Sequence, residues 1–463
     1  MRKGQRVHFI GIGGIGMSGL ARLLLSLGFQ VSGSDLRRSE ITRSLEAQGA
    51  RIYYGHHPQH VRGADIVVYS SAIKPHNPEL AYAQELGLRV IPRAQMLVEI
   101  MDLHRFNIVV AGAHGKTTTS SMIAAVLTWG GLAPTVAVGG KVNGFNGNAW
   151  LGKRNYLVAE ADESDGSFLR MRPHLAVVTN IDAEHLDHYA DFEAIKRAFA
   201  EFFQRVHPEG TLVLCGDDPH LRELSKGNVP QRLLTYGLKP EHDLSARILE
   251  HGEGVRFEAF FKGQCLGEVS LGLPGKHNVQ NALAAVAVGL ELGLAFPVIA
   301  QGLSSFSGVR RRMERKGDTG EVLVLDDYAH HPTEIKATLA ALRTAYPQRR
   351  LVILFQPHRY TRTQALFENF VRAFDLADVL LVTEIYPASE APIEGVSGQR
   401  LFQALQKHRQ ERETYFAENK ELLLARTLTL LSPGDVVVTM GAGDIYRVGE
   451  SLVEELGARR EVA

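Results

Sequence analysis

Residues 107 to 131 read NIVVAGAHGKTTTSSMIAAVLTWGG, and this stretch decides the architecture. NIVVAG is a continuous apolar run of strand length, GAHGKTTT is a turn, and SSMIAAVLTWGG carries Ile123, Val126 and Leu127 at helical spacing before Gly130 and Gly131 end it. A buried strand that feeds a glycine-rich turn and then a helix is the unit of a parallel α/β sheet. In the turn, Gly112 and Gly115 let the backbone fold around phosphate oxygens. Lys116 offers a point charge to terminal phosphates, the Thr117 hydroxyl suits Mg2+, and His114 and Thr118 flank them. Only two residues separate Gly112 from Gly115, which departs from the usual phosphate-loop spacing. The bland alternative is a glycine-rich turn with a stray lysine.

Toward the N-terminus, residues 7 to 19 read VHFIGIGGIGMSG. Gly11, Gly13 and Gly16 satisfy G-x-G-x-x-G, with Gly14 and Ile15 inside the same turn, and Leu20, Leu23, Leu24 and Leu27 follow at helical spacing until Gly28. Asp35 stands where a dinucleotide fold binds a ribose hydroxyl. The physics of the motif is that bare N–H groups at a helix N-terminus accept a pyrophosphate, and many ligands besides NAD carry one. ADIVVYSSAI and LRVIPR continue the strand and helix alternation to about Leu103.

Toward the C-terminus, YLVAEAD, LAVVTNID and TLVLCGDD extend the second sheet. Glu160, Asp162, Glu163 and Asp165 follow one strand and His185 another, at the strand ends where open α/β sheets hold ligands. Hard oxygens suit Mg2+ and a neutral imidazole can complete a second site, although acidic residues after a strand also serve as solvated loops or helix caps. In LPGKHNVQNALAAVAV, His277, Asn278 and Asn281 open an alanine-rich helix. They are suited either to an adenine edge or to a helix cap.

After about Ser307 the pattern restarts with EVLVLDDYAHHP, a helix from Thr333 to Leu342, LVILFQPHR, DVLLVTEIY and DVVVTMGAGD. Asp326, Asp327, Tyr328, His330 and His331 follow one strand, and His358, Arg359 and Arg362 follow another. These residue types hold carboxylates and phosphates, arginine doing so bidentately. The expected organisation is α/β throughout, in three domains at 1–103, 104–306 and 307–463.

Composition narrows the partners. With 51 Lys+Arg against 51 Asp+Glu in 463 residues, no broad basic face is available for nucleic acid or for anionic lipid, and no membrane insertion is expected. Cys215 and Cys265 form no C-x-x-C pair, which argues against a disulfide framework and suits a reducing cytosol; both are read as buried filler. The start MRKGQR superficially resembles a targeting signal, but glycines and Arg22 interrupt the apolar run, so a cytoplasmic location is expected.

In chain order, GIGGIGMSGLA, SSAI, AGAHGKTTT, EADESDGSF, NIDAEHLDHY, PGKHNVQNA, VRRRME, DDYAHHPTE, FQPHRYTRT and EAPIEGVSG resemble the Mur ligases over nearly the whole sequence. GIGGIGMSG together with DDYAHHP and FQPHRYTRT points to the alanine-adding branch, the alternative being the related branch that adds a peptide. The resemblance implies a Rossmann-like UDP-binding N-terminal domain, a central P-loop ATPase-like domain and a Rossmann-like C-terminal domain that swings in. It implies ATP-dependent joining of L-alanine to the lactyl carboxylate of UDP-N-acetylmuramate through an acyl phosphate, in peptidoglycan precursor synthesis, by a monomer or dimer using two Mg2+ ions. Gly11, Gly13, Gly14, Ile15, Gly16, Asp35, Ser70 and Ser71 would take the UDP moiety, with His114 contributing to both ligands. Gly112, Gly115, Lys116, Thr117 and Thr118 would take ATP phosphates, and His277 and Asn281 adenine. Metal ligands would be Thr117, Glu160 and His185. Arg312, Asp327, Tyr328, His330, Arg359 and Arg362 would bridge nucleotide, sugar acid and alanine, with Lys116, Glu160, His185, His330 and Arg359 in catalysis.

Two positions depart from the family pattern. Ala113 stands where threonine is usual, and Phe199 or Ala200 falls where later Mur ligases carry a carbamoylated lysine, Lys196 lying a turn earlier. Two rival readings are a nicotinamide-dependent oxidoreductase, favoured by the first glycine motif and Asp35, and a non-catalytic sensor that binds a UDP-sugar and ATP.

Overall fold

The computed structural model describes every residue except Ser71, Asn146, Arg154, 185–187, Asn228, Pro230, Gln231 and Ala463, and describes 459–462 by backbone alone. The chain divides into two compact units, one of 1–247 with 258–269 and 280–307, the other of 248–257 with 270–279 and 308–463.

The first unit opens with β1 (Arg6–Ile10), β2 (Gln30–Asp35), β3 (Arg51–Tyr54), β4 (Ile66–Tyr69) and β5 (Arg89–Pro92), a parallel sheet in the order β3-β2-β1-β4-β5. Strand order reverses beside β1, and the Gly11–Gly16 turn follows that strand, so the turn sits at the switch point where such sheets take ligands. Val7, His8, Phe9 and Ile10 are all fully buried, which is why β1 reads as an unbroken run instead of an alternation.

A second sheet is built from β6 (Phe106–Ala111), β7 (Thr135–Val142), β8 (Gly147–Trp150), β9 (Tyr156–Glu160), β10 (Leu175–Val178), β11 (Thr211–Cys215) and β12 (Arg232–Gly237), ordered β12-β11-β10-β6-β9-β7-β8. Only β8 runs antiparallel in that set. β13 (Leu244–His251) joins β12 at Tyr236 and Gly237, and β14 (Val255–Phe261) and β15 (Gln264–Leu271) follow in the chain. The β7–β8 hairpin and β13 to β15 were not marked by the apolar runs of the sequence, because glycines break β7 and charged residues punctuate the later strands.

The helix after β6 spans Lys116–Trp129, beginning four residues before the SSMIAAVLTWGG stretch. Thr117 to Leu127 are all buried, and the hydroxyls among them are satisfied internally: Ser120 donates to Lys116 O at 2.7 Å, Ser121 to Thr117 O at 2.6 Å and Thr119 to Asn281 Oδ1 at 3.0 Å. A helix buried on all sides needs no polar face, so its first turn looks like loop in sequence.

The second unit holds β16 (Glu314–Asp318), β17 (Leu323–Asp327), β18 (Leu351–Phe355), β19 (Val379–Thr383), β20 (Thr414–Ala417) and β21 (Val436–Met440), in the order β16-β17-β21-β18-β19-β20, parallel except β16. Alternate residues feed two separate cores. Leu323, Leu325, Ile353, Phe355 and Met440 pack on one face, and Val324, Val352, Leu354 and Leu381 on the other.

Cys215 is buried in β11, and burial pushes its thiol up to about 12, whereas Cys265 is exposed on β15, which corrects the reading of both as buried filler. Among the described residues no helix is long and apolar enough to cross a membrane. Phe199 and Phe202, both buried on the helix Phe192–Phe203, pack on Phe168, with ring centroids 5.3 and 5.1 Å from it. Lys196 is engaged elsewhere, donating to Glu193 at 3.2 Å and Glu223 at 3.0 Å. A Phe199→Ala variant should lower the unfolding free energy of this unit by about 3 to 5 kcal/mol in urea titration, and a loss below about 1 kcal/mol would show that the aromatic cluster is not packed.

Candidate functional site

The turn between β6 and the helix Lys116–Trp129 is set by one close approach. Gly112 has φ +128°, and a Cβ there would stand 2.2 Å from Thr179 Oγ1; only glycine fits. Thr179, at the end of β10, donates to His114 O at 2.6 Å, and Asn180 brackets the same residue, accepting from His114 N at 2.8 Å and donating to His114 O at 3.0 Å. His114 Nε2 lies 2.9 Å from Asp182 Oδ2. Thr179, Asn180 and Asp182 stand in the LAVVTNID segment, and nothing in the sequence places that segment beside the turn.

Lys116 curls onto the loop, donating to Gly112 O at 2.5 Å, Ala113 O at 3.0 Å and Glu163 Oε1 at 2.8 Å. Burial works to lower its pKa, but Glu163, Glu160 and Glu184 outweigh burial, so the ammonium is held charged above its ordinary value. Thr117 donates to both oxygens of Glu160, at 3.0 and 2.9 Å, and Gly139 N donates to Glu160 Oε2 at 2.7 Å. A hydroxyl and a carboxylate together at a helix N-terminus form a hard-oxygen pair of the kind Mg2+ takes. Asp162 accepts from Arg93 at 3.0 Å; burial raises its pKa, yet Ser164, Arg93 and Lys116 bring it below the usual carboxylate range. Tyr189 closes this pocket of acids by donating to Glu163 O at 2.7 Å, and burial beside Glu163 pushes its phenol up to about 12. Thr118 is buried, and Asn281 meets Thr119 and borders Gly115. His185 and Ser71 lie outside the described residues.

The first glycine turn is also built from strand ends. Gly11 N and Ile12 N donate to Ser34 O at 2.9 and 3.0 Å, and Gly13 N donates to Asp35 Oδ2 at 2.9 Å. Ser70, just after β4, stands beside Gly11. Gly14 is the N-cap of the helix Ile15–Ser26, Gly16 faces Arg93, and Ile15 O accepts from Asn148 at 2.9 Å. The predicted residues of this turn are therefore contiguous, and the Asp35 carboxylate is spent partly on the turn itself.

In the second unit, Asp327 ends β17 and is buried, accepting from Met313 N at 2.8 Å, Ala329 N at 2.8 Å and Thr338 Oγ1 at 3.3 Å. Burial pushes it up to about 6 even though Arg312 pulls the other way. It clasps two segments together. The Arg312 guanidinium lies 5.1 Å from the Tyr328 ring centroid and 3.4 Å from Glu334 Oε1, and His330 N donates to Glu334 Oε2 at 3.1 Å. His330 Nδ1 is 2.9 Å from Tyr328 O, a carbonyl that only accepts, so Nδ1 carries the proton. Its ring lies 5.8 Å from that of His358, which stacks on Tyr386 and meets Arg362 Nη1 at 3.2 Å.

Burial lowers all three neighbouring imidazoles. His330 is held well below its ordinary value, and His277 and His358 fall to about 4, helped respectively by Arg312 and by Arg362. Arg359 has φ +69°, a strained conformation for a residue with a Cβ, and pairs with Glu390 at 3.8 Å. Sequence reasoning passed over Arg311, whose guanidinium reaches Asp326 at 3.1 Å, Gly441 O at 2.6 Å and Gly443 O at 3.0 Å. Its only signal was its place in VRRRME.

Comparison with known proteins agrees along the whole length. Residues 6–105 match the model described as Mur ligase family, catalytic domain; 110–289 match the Mur ligase middle domain; and 311–443 match the Mur ligase, glutamate ligase domain. A protein of Desulfosudis oleivorans named UDP-N-acetylmuramate--L-alanine ligase is 52% identical over 97% of this chain and 98% of its own, and one of the same name from Geobacter sulfurreducens is 49% identical over 99% of each. Among solved structures, UDP-N-acetylmuramate-alanine ligase MurC of Thermotoga maritima superposes with a TM-score of 0.83 at 29% identity, covering 98% of this chain and 99% of that one. A murein peptide ligase of Psychrobacter arcticus superposes at 0.73 and 27% identity, with the same coverage. Matched by three family models between residues 6 and 443 and by relatives at half identity over nearly its whole length, the chain belongs to the Mur ligase family.

Proposed function

We propose that this chain is an ATP-dependent ligase that joins L-alanine to the lactyl carboxylate of UDP-N-acetylmuramate, releasing ADP and phosphate. The observation that carries the reading is the Gly112–Thr117 turn, where a half-buried, charged lysine and a hydroxyl–carboxylate pair meet at the N-terminus of a buried helix. The names of its half-identical relatives support the choice of alanine over a peptide. Three domains at 1–103, 104–306 and 307–463 fit the three sheets and the three family models.

The chemical problem is that a carboxylate is a poor electrophile. In the first step a carboxylate oxygen of the sugar acid attacks the γ-phosphorus of ATP, its bond to the β-bridging oxygen breaks, and ADP leaves. Lys116 spreads the charge that develops on the phosphoryl oxygens. Thr117 and Glu160 fit Mg2+, which when bound supplies further neutralisation of phosphate charge. In the second step the alanine amine attacks the acyl carbon, the carbon–oxygen bond to phosphate breaks, and phosphate departs with the electron pair. We assign Gly11, Gly13, Gly14, Ile15, Gly16, Asp35 and Ser70 to the UDP moiety. His277 and Asn281 are assigned to adenine, and Arg312, Asp327, Tyr328, His330, Arg359 and Arg362 to nucleotide, sugar acid and alanine. His330, neutral and with Nδ1–H committed to Tyr328 O, has Nε2 as its acceptor atom for an amine proton. Nucleotide substrates place the reaction in the cytoplasm.

An ADP-release assay with UDP-N-acetylmuramate and a panel of amino acids should show turnover with L-alanine that needs ATP and Mg2+. Lys116→Ala should lower kcat by about a thousandfold while calorimetric UDP-sugar affinity is retained, and near-normal ADP release from that variant would remove Lys116 from the chemistry. In an NMR pH titration the ring protons of His277 and His358 should move near pH 4. Because these pKa values are depressed on folding, each ring contributes stability that is complete above about pH 6.5 and is lost as pH falls through 4. Midpoints near 6.5 would show both rings open to water.

A further inference from the structure

Outside the site assigned above, the most heavily coordinated polar group in the first unit is Glu79, fully buried at the start of the helix Pro78–Glu85. Asn77 caps that helix, accepting from Glu79 N at 3.0 Å, and a carboxylate in a first helical turn is favoured by the helix dipole. Oε2 is met by Ser34 Oγ at 2.6 Å and His8 Nε2 at 3.2 Å; Oε1 is met by His60 Nδ1 at 2.7 Å and His57 N at 3.1 Å, with His56 Nδ1 at 3.7 Å. Burial alone would raise the Glu79 pKa, but the hydrogen bonds from His8, Ser34 and His60 hold it down at about 2. An ionised carboxylate only accepts, so His8 carries its proton on Nε2 and His60 on Nδ1, and Ser34 donates to Glu79.

Each of these partners leads back to the first glycine turn. Ser34 is the residue whose carbonyl receives Gly11 N and Ile12 N, and its neighbour Asp35 receives Gly13 N. The segment pinned through His57 and His60 begins at Gly55, whose N–H donates to Asp35 O at 2.9 Å. His8 lies on β1, the strand that delivers the turn. Glu79 therefore ties together the strand pair and the loop on which the turn is hung. We infer that Glu79 is a positioning residue for UDP-sugar binding, acting through Ser34 and Asp35, which accept from Gly11, Ile12 and Gly13, on the backbone conformation of the Gly11–Gly16 turn. The inference rests on the assignment of that turn to the UDP moiety.

The test uses the full-length enzyme. Glu79→Gln keeps the side-chain volume but can accept at only one oxygen, so one of the two pairs of donors loses its acceptor. The KM and calorimetric Kd for UDP-N-acetylmuramate should rise roughly 3- to 30-fold, while kcat and the KM for ATP stay within about twofold. Ser34→Ala, which keeps the peptide and removes the hydroxyl, should raise the same KM, and the double variant should cost less than the product of the two. Gly13→Ala serves as the direct lesion, since a Cβ there would lie 2.7 Å from Asp35 Oδ2. Unchanged UDP-sugar affinity in Glu79→Gln and Ser34→Ala, an equal shift in the ATP KM, or strictly multiplicative effects would overturn the positioning role. If Gly13→Ala weakens the UDP-sugar and the other two do not, only this inference falls; if Gly13→Ala has no effect, the UDP assignment of the turn falls with it.

Discussion

A single electrostatic constraint organises the central sheet: the charge of Lys116 is kept inside the protein. Desolvation of an ammonium is unfavourable unless acceptors surround it, and here they are two loop carbonyls and Glu163, with Glu160 and Glu184 adding to the field. Those carboxylates stand at the ends of parallel strands, where backbone direction and strand order deliver them side by side. The same loop is closed from the strand-end side: a Cβ at 112 would run into Thr179 Oγ1, and Thr179 and Asn180 bracket His114.

The same logic recurs with opposite sign in the second unit. Asp327 is a carboxylate pulled out of water and spent on backbone N–H groups, and the imidazoles of His277, His330 and His358 are kept neutral by burial beside arginines. The result is a surface of fixed guanidinium charge with uncharged hydrogen-bonding rings, a set suited to anionic substrates that must still accept an amine. Arg311 and the strained Arg359 show that the arginines here are placed by the backbone as much as by their side chains.

Much of this was legible in the linear sequence, and the reasons differ by element. The run 107–131 announced a strand, turn and helix because β6 is buried on both faces and the turn needs glycine; β17, β18, β19 and β21 announced themselves by the same double burial, whereas β16 and β20, only partly buried, did not. The helix start at Lys116 was hidden, since Thr117 to Ser121 look like loop residues until their hydroxyls are seen to bond within the fold. The β7–β8 hairpin was hidden by Gly139 and Gly140, and Cys265, read as buried, proved exposed. Asp327 was read as a ligand-holding carboxylate from its company in DDYAHHP, and its hydrogen bonds to Met313 and Ala329 give it a structural task as well.

Residue type and local order by themselves determined the α/β class, the two glycine-rich turns and the family. Those features depend on neighbours a few positions away, such as the spacing of glycines, the length of apolar runs and the lysine after a turn. Only the tertiary structure decided which acids meet Lys116, why Phe199 fills an aromatic core, and that Glu79 with its histidines bonds to the strands that carry the first glycine turn. These depend on contacts across long stretches of chain, 47 residues for Lys116 with Glu163 and 71 for His8 with Glu79. Charge burial is settled by whatever surrounds the group in space, and no local pattern records that surrounding.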